Sequence, residues 1–293
     1  MRLVKEPSAK YFVNRHIDHI EDAAESILQR MWDGVLPITH DAYLRKFQLQ
    51  SPVLPYTHVL TDEGQDSNPC WLDVFLRQPA IRVIVGDSHQ SIYGYRGAID
   101  SLNMVDFPRF TLTGSFRFGS HIAKKAMEAI RLKTLLGVSV HDFKITGLGP
   151  GKPREKTERA VLARSNLGLI SHAIEAVCKK GKKCAYEGEI QNYTFMSDGT
   201  NLYDILNLYV GKPERIRDGF IQKFETYENL VQYQKEVDDR ELGMVVDLIS
   251  TYSTGLFGFM REIREKAVGK DRAELILSTC HKSKGGEFDD VTL

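Results

Sequence analysis

Short continuous apolar runs alternate with amphipathic stretches along much of this chain, and that alternation leaves few folds open. THVLT (57–61) is followed by a helical segment over Pro69–Leu76 and then by IRVIVG (81–86). The pattern returns with RFTLT (109–113), a helix over 120–132, RAVLARS (159–165), a helix over 168–180 closed by Gly181, and KCAYEG (183–188). LILSTC (275–280) and DVTL (290–293) end it. Apolar runs of this kind separated by helices read as parallel strands covered on both faces. HIDHIEDAAESILQRMWDG (16–34) places apolar residues at 17, 20, 24, 27, 28 and 31, a helical period stopped by Gly34 and Pro37. ITHDAYLRKFQL (38–49) reads as a second helix with Thr39 as its N-cap. Four amphipathic segments fill most of 190–270, so the skeleton is α/β with a helical insertion. GLGPGKP (147–153) reads as a loop or linker.

Composition narrows the class further. A chain of 293 residues suggests two domains at about 150 residues each. Lys and Arg total 39 and Asp and Glu total 39, which excludes a polycation or an acidic tail but is silent on local patches. From Lys144 to Cys184 there are ten basic residues against three acidic, and from Phe224 to Asp247 two against seven. A basic stretch can follow a phosphate backbone, although charge alone favours an ordinary solvated face. No apolar run approaches the ~18 residues of a membrane span, and the N-terminus has no apolar signal-like core. The four cysteines are scattered with no CxxC, so neither structural zinc nor a disulfide framework is expected, and the default setting is reducing and intracellular.

The chemistry concentrates at two strand ends. Asp62 and Glu63 follow one apolar run and Asp87 follows the next. Ligands of open α/β sheets bind beyond the carboxyl ends of the strands, and converging carboxylates there call for a cation, Mg²⁺ where phosphates are involved. A bare acidic pair after a strand is more often a turn, so the flanking residues decide. Asp62-Glu63-Gly64-Gln65-Asp66 resembles motif II of superfamily 1 DNA helicases of the UvrD/Rep type, and VGD-x-x-QSIY-x-x-RGA (85–98) resembles motif III. LTGSFRFG (112–119) is similar to motif IV, VLARSN (161–166) to a segment near the DNA track, and STCHKSKGGEFDDVTL (278–293) to motif V. THDAYLRKFQL and the SFRFG form look most like the helicase region of F-box DNA helicases, with a prokaryotic or viral relative equally open.

The resemblance implies RecA-like parallel-sheet motor domains of the P-loop NTPase type with helical insertions, truncated at both ends. It implies ATP and Mg²⁺ as cofactors. Asp62 would hold the metal, Glu63 would be the general base for water, and Gln90 would sense the γ-phosphate. Arg96 would support the phosphate region, Phe116 would stack on adenine, Arg117 would be an arginine finger from the second motor domain, and Glu287 would bind the ribose. Tyr93 and Tyr95 would stack on single-stranded DNA, and Arg164, Asn166 and His281 would touch it. The partners implied are single-stranded and 3′-tailed duplex DNA, with movement 3′ to 5′ in repair or recombination and no membrane. Location would be cytoplasm in a prokaryote or virus and nucleus in a eukaryote.

One departure is large. No G-x-x-x-x-G-K-[ST] phosphate loop occurs; GLGPGKP, VGKP (210–213) and VGKD (268–271) all lack its terminal hydroxyl residue. Nor does a motif VI follow motif V. The expectation is therefore a partial motor, weak or inactive alone, whose N- and C-terminal helicase segments come from the same gene or a split partner. In it, 1–50 would be the tail of a first-domain insertion, 51–110 the C-terminal half of the first RecA-like domain, and 111–189 the first part of the second. Residues 190–270 would be an inserted helical subdomain and 271–293 the second domain's return. Gly64 and Gly286 stand where bulkier residues are common and would give the backbone freedom. Two other functions fit some of these residues: a non-hydrolysing DNA-binding protein on a decayed helicase scaffold, and a metal-dependent nuclease using Asp62, Glu63 and Asp87.

Overall fold

A computed structural model describes residues 11, 13–138, 144–149, 158–193 and 201–293. They form a mixed α/β chain built on parallel sheets, divided into two compact units, Met1–Gly151 and Lys152–Leu293.

The first unit opens with helix α1 (Ile17–Trp32), after which Gly34 turns the chain with φ of +74°. Helix α2 (His40–Leu49) starts where the Thr39 hydroxyl accepts the Ala42 N–H. Strand β1 (His58–Thr61), helix α3 (Pro69–Leu76) and strand β2 (Ile81–Ile84) form a parallel crossover unit, with His58 opposite Ile81 and Thr61 opposite Ile84. Helix α3 begins at Pro69 because Asn68 caps it, its side-chain oxygen accepting the Cys70 N–H at 2.8 Å, while proline forgoes a donor that the first turn leaves unpaired anyway. Buried Gln78 fastens the preceding loop to its end: the amide donates to Val74 O and Pro52 O and accepts from Leu54 N.

Val59, Leu72 and Phe75 form the core between sheet and helix, with Trp71, Ile84, Ile99 and Phe107 against it. The opposite sheet face carries exposed Leu60, Ile81 and Val83. The expectation of cover on both faces therefore fails here, because the described layer packs on one side of a two-stranded sheet. The strand expected at 109–113 is also absent: Phe110 and Leu112 are exposed, and pairing begins only at β3 (Gly114–Ser115). Its parallel partner, β4 (Thr146–Gly147), overlaps the stretch expected as loop only at Gly147, and 150–153 of that stretch fall outside the described residues. A Cβ on Gly147 would stand 2.3 Å from the Gly119 backbone, so glycine permits the approach. Helix α4 (Ser120–Leu135) connects the two strands.

The second unit holds a four-stranded parallel sheet. Strands β5 (Arg159–Ala163), β6 (Cys184–Tyr186), β7 (Leu275–Thr279) and β8 (Asp290–Thr292) run in the order β6-β7-β5-β8. Helix α5 (Asn166–Ala173) continues as a wider π turn over Ile174–Lys179, and Gly181 leaves it with φ of +65°. Helices α6 (Asn201–Tyr209), α7 (Tyr227–Val237), α8 (Arg240–Tyr252) and α9 (Gly255–Glu265) separate β6 from β7 and share its core through Leu206, Leu230, Ile249, Leu256 and Met260. Cys280, expected to pack in a strand, is exposed just past β7. No single described helix is long and apolar enough to cross a membrane.

Burial sets an expected contrast. Phe75→Ala, at a side chain with no exposure, should lose about 3–5 kcal/mol of unit stability, whereas Leu60→Ala on the open face should stay within about 1 kcal/mol. Urea unfolding followed by Trp71 fluorescence, beside Phe75, reads the difference.

Candidate functional site

The ends of β1 and β2 turn together. Val85 N donates to Thr61 O at 2.8 Å and Gly64 N donates to Val85 O at 2.9 Å, so main-chain pairing continues past both strands. Asp62 and Glu63 leave β1 exposed, with Asp62 Oδ1 accepting the Glu63 N–H at 2.8 Å. Glu63 takes a left-handed conformation, φ 54° and ψ 41°, which costs a non-glycine residue about 1 kcal/mol or more. That reversal starts the tight turn Gly64–Asp66. Gly64 itself does not use positive φ, and neither does Gly286. Space is what Gly64 provides: a Cβ there would stand 2.4 Å from Ile84 Cγ2.

Gln65 joins the two strand ends. It is fully buried; its amide nitrogen donates to Glu63 Oε2 and its amide oxygen accepts the Asp87 N–H at 2.8 Å. Below it, the Ser67 and Ser101 hydroxyls gather on Gly64 O, 3.0 and 2.7 Å away. Asp87 caps the next turn, Ser88–Gln90: one carboxylate oxygen accepts the His89 N–H at 2.9 Å, the other the Gln90 amide at 2.8 Å. Asp62 and Glu63 thus follow one strand end and Gln90 the neighbouring one, while Asp87 organises the turn that carries Gln90. Sequence reading passes over Gln65, whose signal is a neutral amide two residues after a carboxylate in a turn that has to be buried.

The chain continues along the same edge. Asp66 Oδ1 accepts the Tyr93 N–H at 3.3 Å, and the Tyr93 and Tyr95 rings lie 6.4 Å apart at 52°. Tyr93 is half-buried, Tyr95 is 69% exposed, and exposed Arg96 closes a turn released by Gly97 at φ of +81°. Phe116 and Arg117 are exposed after β3, where the Ser115 hydroxyl accepts the Arg117 N–H.

Arg164, Asn166, His281 and Glu287 belong to the second unit. Ala163 pairs with Thr279 and Cys280 N donates to Ala163 O, so Arg164, Asn166 and His281 gather where β5 and β7 end. Arg164 and His281 are exposed, and Asn166 is half-buried at the start of α5, capped by Ser165. Lys282, next to His281 in the motif V-like stretch, is more than an exposed turn residue. Its ammonium sits 3.5 Å from the centre of the buried Tyr193 ring and donates to Asn192 O at 2.9 Å, and burial lowers its pKa. Burial raises the Tyr193 hydroxyl to about 12, so that ring stays neutral beneath the cation. Glu287 is exposed past Gly285, which has φ of +82°.

Among the described residues no group of three or more His, Cys, Asp or Glu side chains is placed to hold a metal. That leaves the nuclease reading without its three-carboxylate site. It does fit Mg²⁺ held by one exposed carboxylate, because Mg²⁺ keeps several waters and takes phosphate oxygens from its ligand.

Residues 42–109 match the family described as the UvrD/REP helicase N-terminal domain. F-box DNA helicase 1 of Gallus gallus is 31% identical over 275 residues, which covers 87% of this chain and 26% of that protein. F-box DNA helicase protein 1 of Schizosaccharomyces pombe is 31% identical over 281 residues, covering 88% of this chain and 31% of that protein. The chain therefore spans about a quarter to a third of the length of the curated relatives it matches.

The fit of the strand ends is testable without ligand. A Cβ on Gly86 would stand 2.4 Å from the Gln65 amide oxygen and 2.8 Å from Gly64 N. Gly86→Ala should therefore cost about 1–3 kcal/mol in the first unit by urea unfolding. Gly94→Ala, with open space around it, should cost well under half of that.

Proposed function

Because this chain carries a UvrD-like superfamily 1 helicase region, we propose that it is the central part of an ATP-dependent DNA translocase acting on single-stranded and 3′-tailed duplex DNA. The observation that carries the reading is the pair of exposed carboxylates at the end of β1 with Gln90 on the neighbouring strand end. In this reading Asp62 holds Mg²⁺ through water, and Glu63 orients the attacking water and takes its proton. Gln90 reads a terminal phosphate oxygen with a neutral amide, adding no charge. Bound nucleotide supplies the phosphoanhydride bond whose hydrolysis drives movement. Arg96 and Arg117 serve the phosphates, Phe116 offers a ring face to adenine, and Glu287 accepts from the ribose.

The proposed DNA contacts are of two kinds. Tyr93 and Tyr95 offer ring faces, which hold any base, with stacking worth about 1–3 kcal/mol per base. Arg164, Asn166 and His281 add polar contacts. Directionality of 3′ to 5′, a role in repair or recombination, and a nuclear location like that expected of eukaryotic relatives follow from the resemblance. A phosphate loop from sequence outside these 293 residues, in the same gene or a split partner, would complete the ATP site. Alone, the chain should show weak or no ATPase.

Glu63→Gln, in the protein completed by that loop, should lower DNA-stimulated ATP turnover at least about a hundredfold while leaving nucleotide binding within about twofold. Full turnover in that variant removes Glu63 from the chemistry. For the 293-residue chain itself, single-strand affinity should fall steeply between about 50 and 200 mM salt, roughly in proportion to the phosphates contacted. Fluorescence anisotropy with labelled oligonucleotide measures it, and a flat response counts against the basic contacts.

A further inference from the structure

We propose that Gln65 is the positioning residue for Glu63, locking the general base to the turn that carries the phosphate-sensing Gln90; the inference rests on the role given to Glu63 above. The amide has no exposure, and both of its polar atoms are used. A backbone N–H can only donate, so Asp87 N fixes the amide oxygen on its side. The amide nitrogen must then face Glu63, and the side chain cannot flip without placing two donors, and two acceptors, face to face. Gly86 leaves no room for a Cβ beside that oxygen, and the Ser91 hydroxyl donates to Gln65 O at 3.2 Å, so both ends of the residue are held.

Glu63 needs such a holder. Its backbone is in the left-handed region and its carboxylate is exposed, so a donor fixed in the core bears directly on where that carboxylate points. A rigid buried donor selects one direction. The same amide reaches Asp87, whose carboxylate accepts from Gln90, so one continuous chain of hydrogen bonds runs Glu63–Gln65–Asp87–Gln90. Displacement of the sensing turn therefore moves the amide, and with it the base. The amide never touches the reacting atoms in this arrangement; it acts through Glu63.

Two variants separate positioning from folding. Gln65→Glu keeps an acceptor for Asp87 N but turns an oxygen toward Glu63, while Gln65→Leu removes both bonds. In the completed protein, kcat for DNA-stimulated ATP hydrolysis should fall about ten- to hundredfold in both, with KM for ATP within about twofold. In Gln65→Glu, hydrogen exchange at Asp87 N should stay slow, which reports an intact turn. On a Glu63→Gln background, with residual turnover followed by radiolabelled ATP, either change should add little, because a residue acting through Glu63 has nothing left to position. A Gln65 variant that keeps its kcat, raises KM in step, or adds its full loss on the Glu63→Gln background overturns the positioning role and leaves the role of Glu63 standing. Unimpaired turnover in Glu63→Gln alone, or none in the wild type, overturns the proposed base and the positioning role together.

Discussion

Parallel pairing of β1 with β2 is the constraint on which the first unit's chemistry depends. Parallel neighbours cannot be joined by a tight turn, so the chain must cross over through α3 to return in the same direction. The result is that both carboxyl ends emerge at one edge. Everything that holds α3 in place therefore also holds that edge. Phe75 and Leu72 bury its apolar side, and Asn68 caps its start. From α2, Gln48 donates to Asp73 at 2.6 Å, and Asp41 accepts from the Asn68 amide at 3.0 Å. The Gln48 donor, with Arg77 beyond it, holds the Asp73 carboxyl below its ordinary value, so these tethers favour the charged form. Folded-state depression of this kind contributes above the unfolded carboxylate range and is lost as pH falls through the folded value.

Neutral donors reach all three carboxylates of this edge. Asp62 takes a backbone N–H, Glu63 takes the Gln65 amide, and Asp87 takes a backbone N–H and the Gln90 amide. Neutral donors orient an anion but leave its charge in place. The turns that carry these carboxylates are held by the packing of α3 and the main-chain bonds past the strand ends.

Much of this is legible in the sequence because the signals are local. Helix α3 runs over Pro69–Leu76 as read, since proline, a capping asparagine and an apolar face all lie within it or beside it. Thr39 caps α2 and Gly181 ends the helical run after α5 for equally local reasons. Pairing is less legible. RFTLT has the composition of a strand, yet the strand forms just beyond it, and its partner Gly147, lacking a side chain, lets the Gly119 backbone approach. The purpose of Gly64 is hidden for the same reason: its lack of a side chain accommodates Ile84, a neighbour that only the parallel register brings near, and backbone freedom is not what it supplies. In the candidate site, acidic and aromatic residues are visible by type. Gln65 is not, because it matters through a partner distant in sequence, Asp87; the seat of Lys282 on the Tyr193 ring is hidden for the same reason.

The same topological rule operates in the second unit with the opposite charge. There β5 and β7 end together, and Arg164, Asn166, His281 and Lys282 lie just beyond them. Lys282 lies over an aromatic ring and bonds a backbone carbonyl, so its charge is held by a neutral π face and a dipole. That mirrors the first unit, where anions are held by neutral donors. In both places the loops beyond parallel strands carry charge that is oriented but not cancelled by these neutral partners. A chain with 39 basic and 39 acidic residues can thus be neutral in sum while acidic residues follow β1 and β2 and basic residues follow β5 and β7. Net charge is a property of composition, whereas the sign presented at a strand end is set by topology and by the choice of neutral partners.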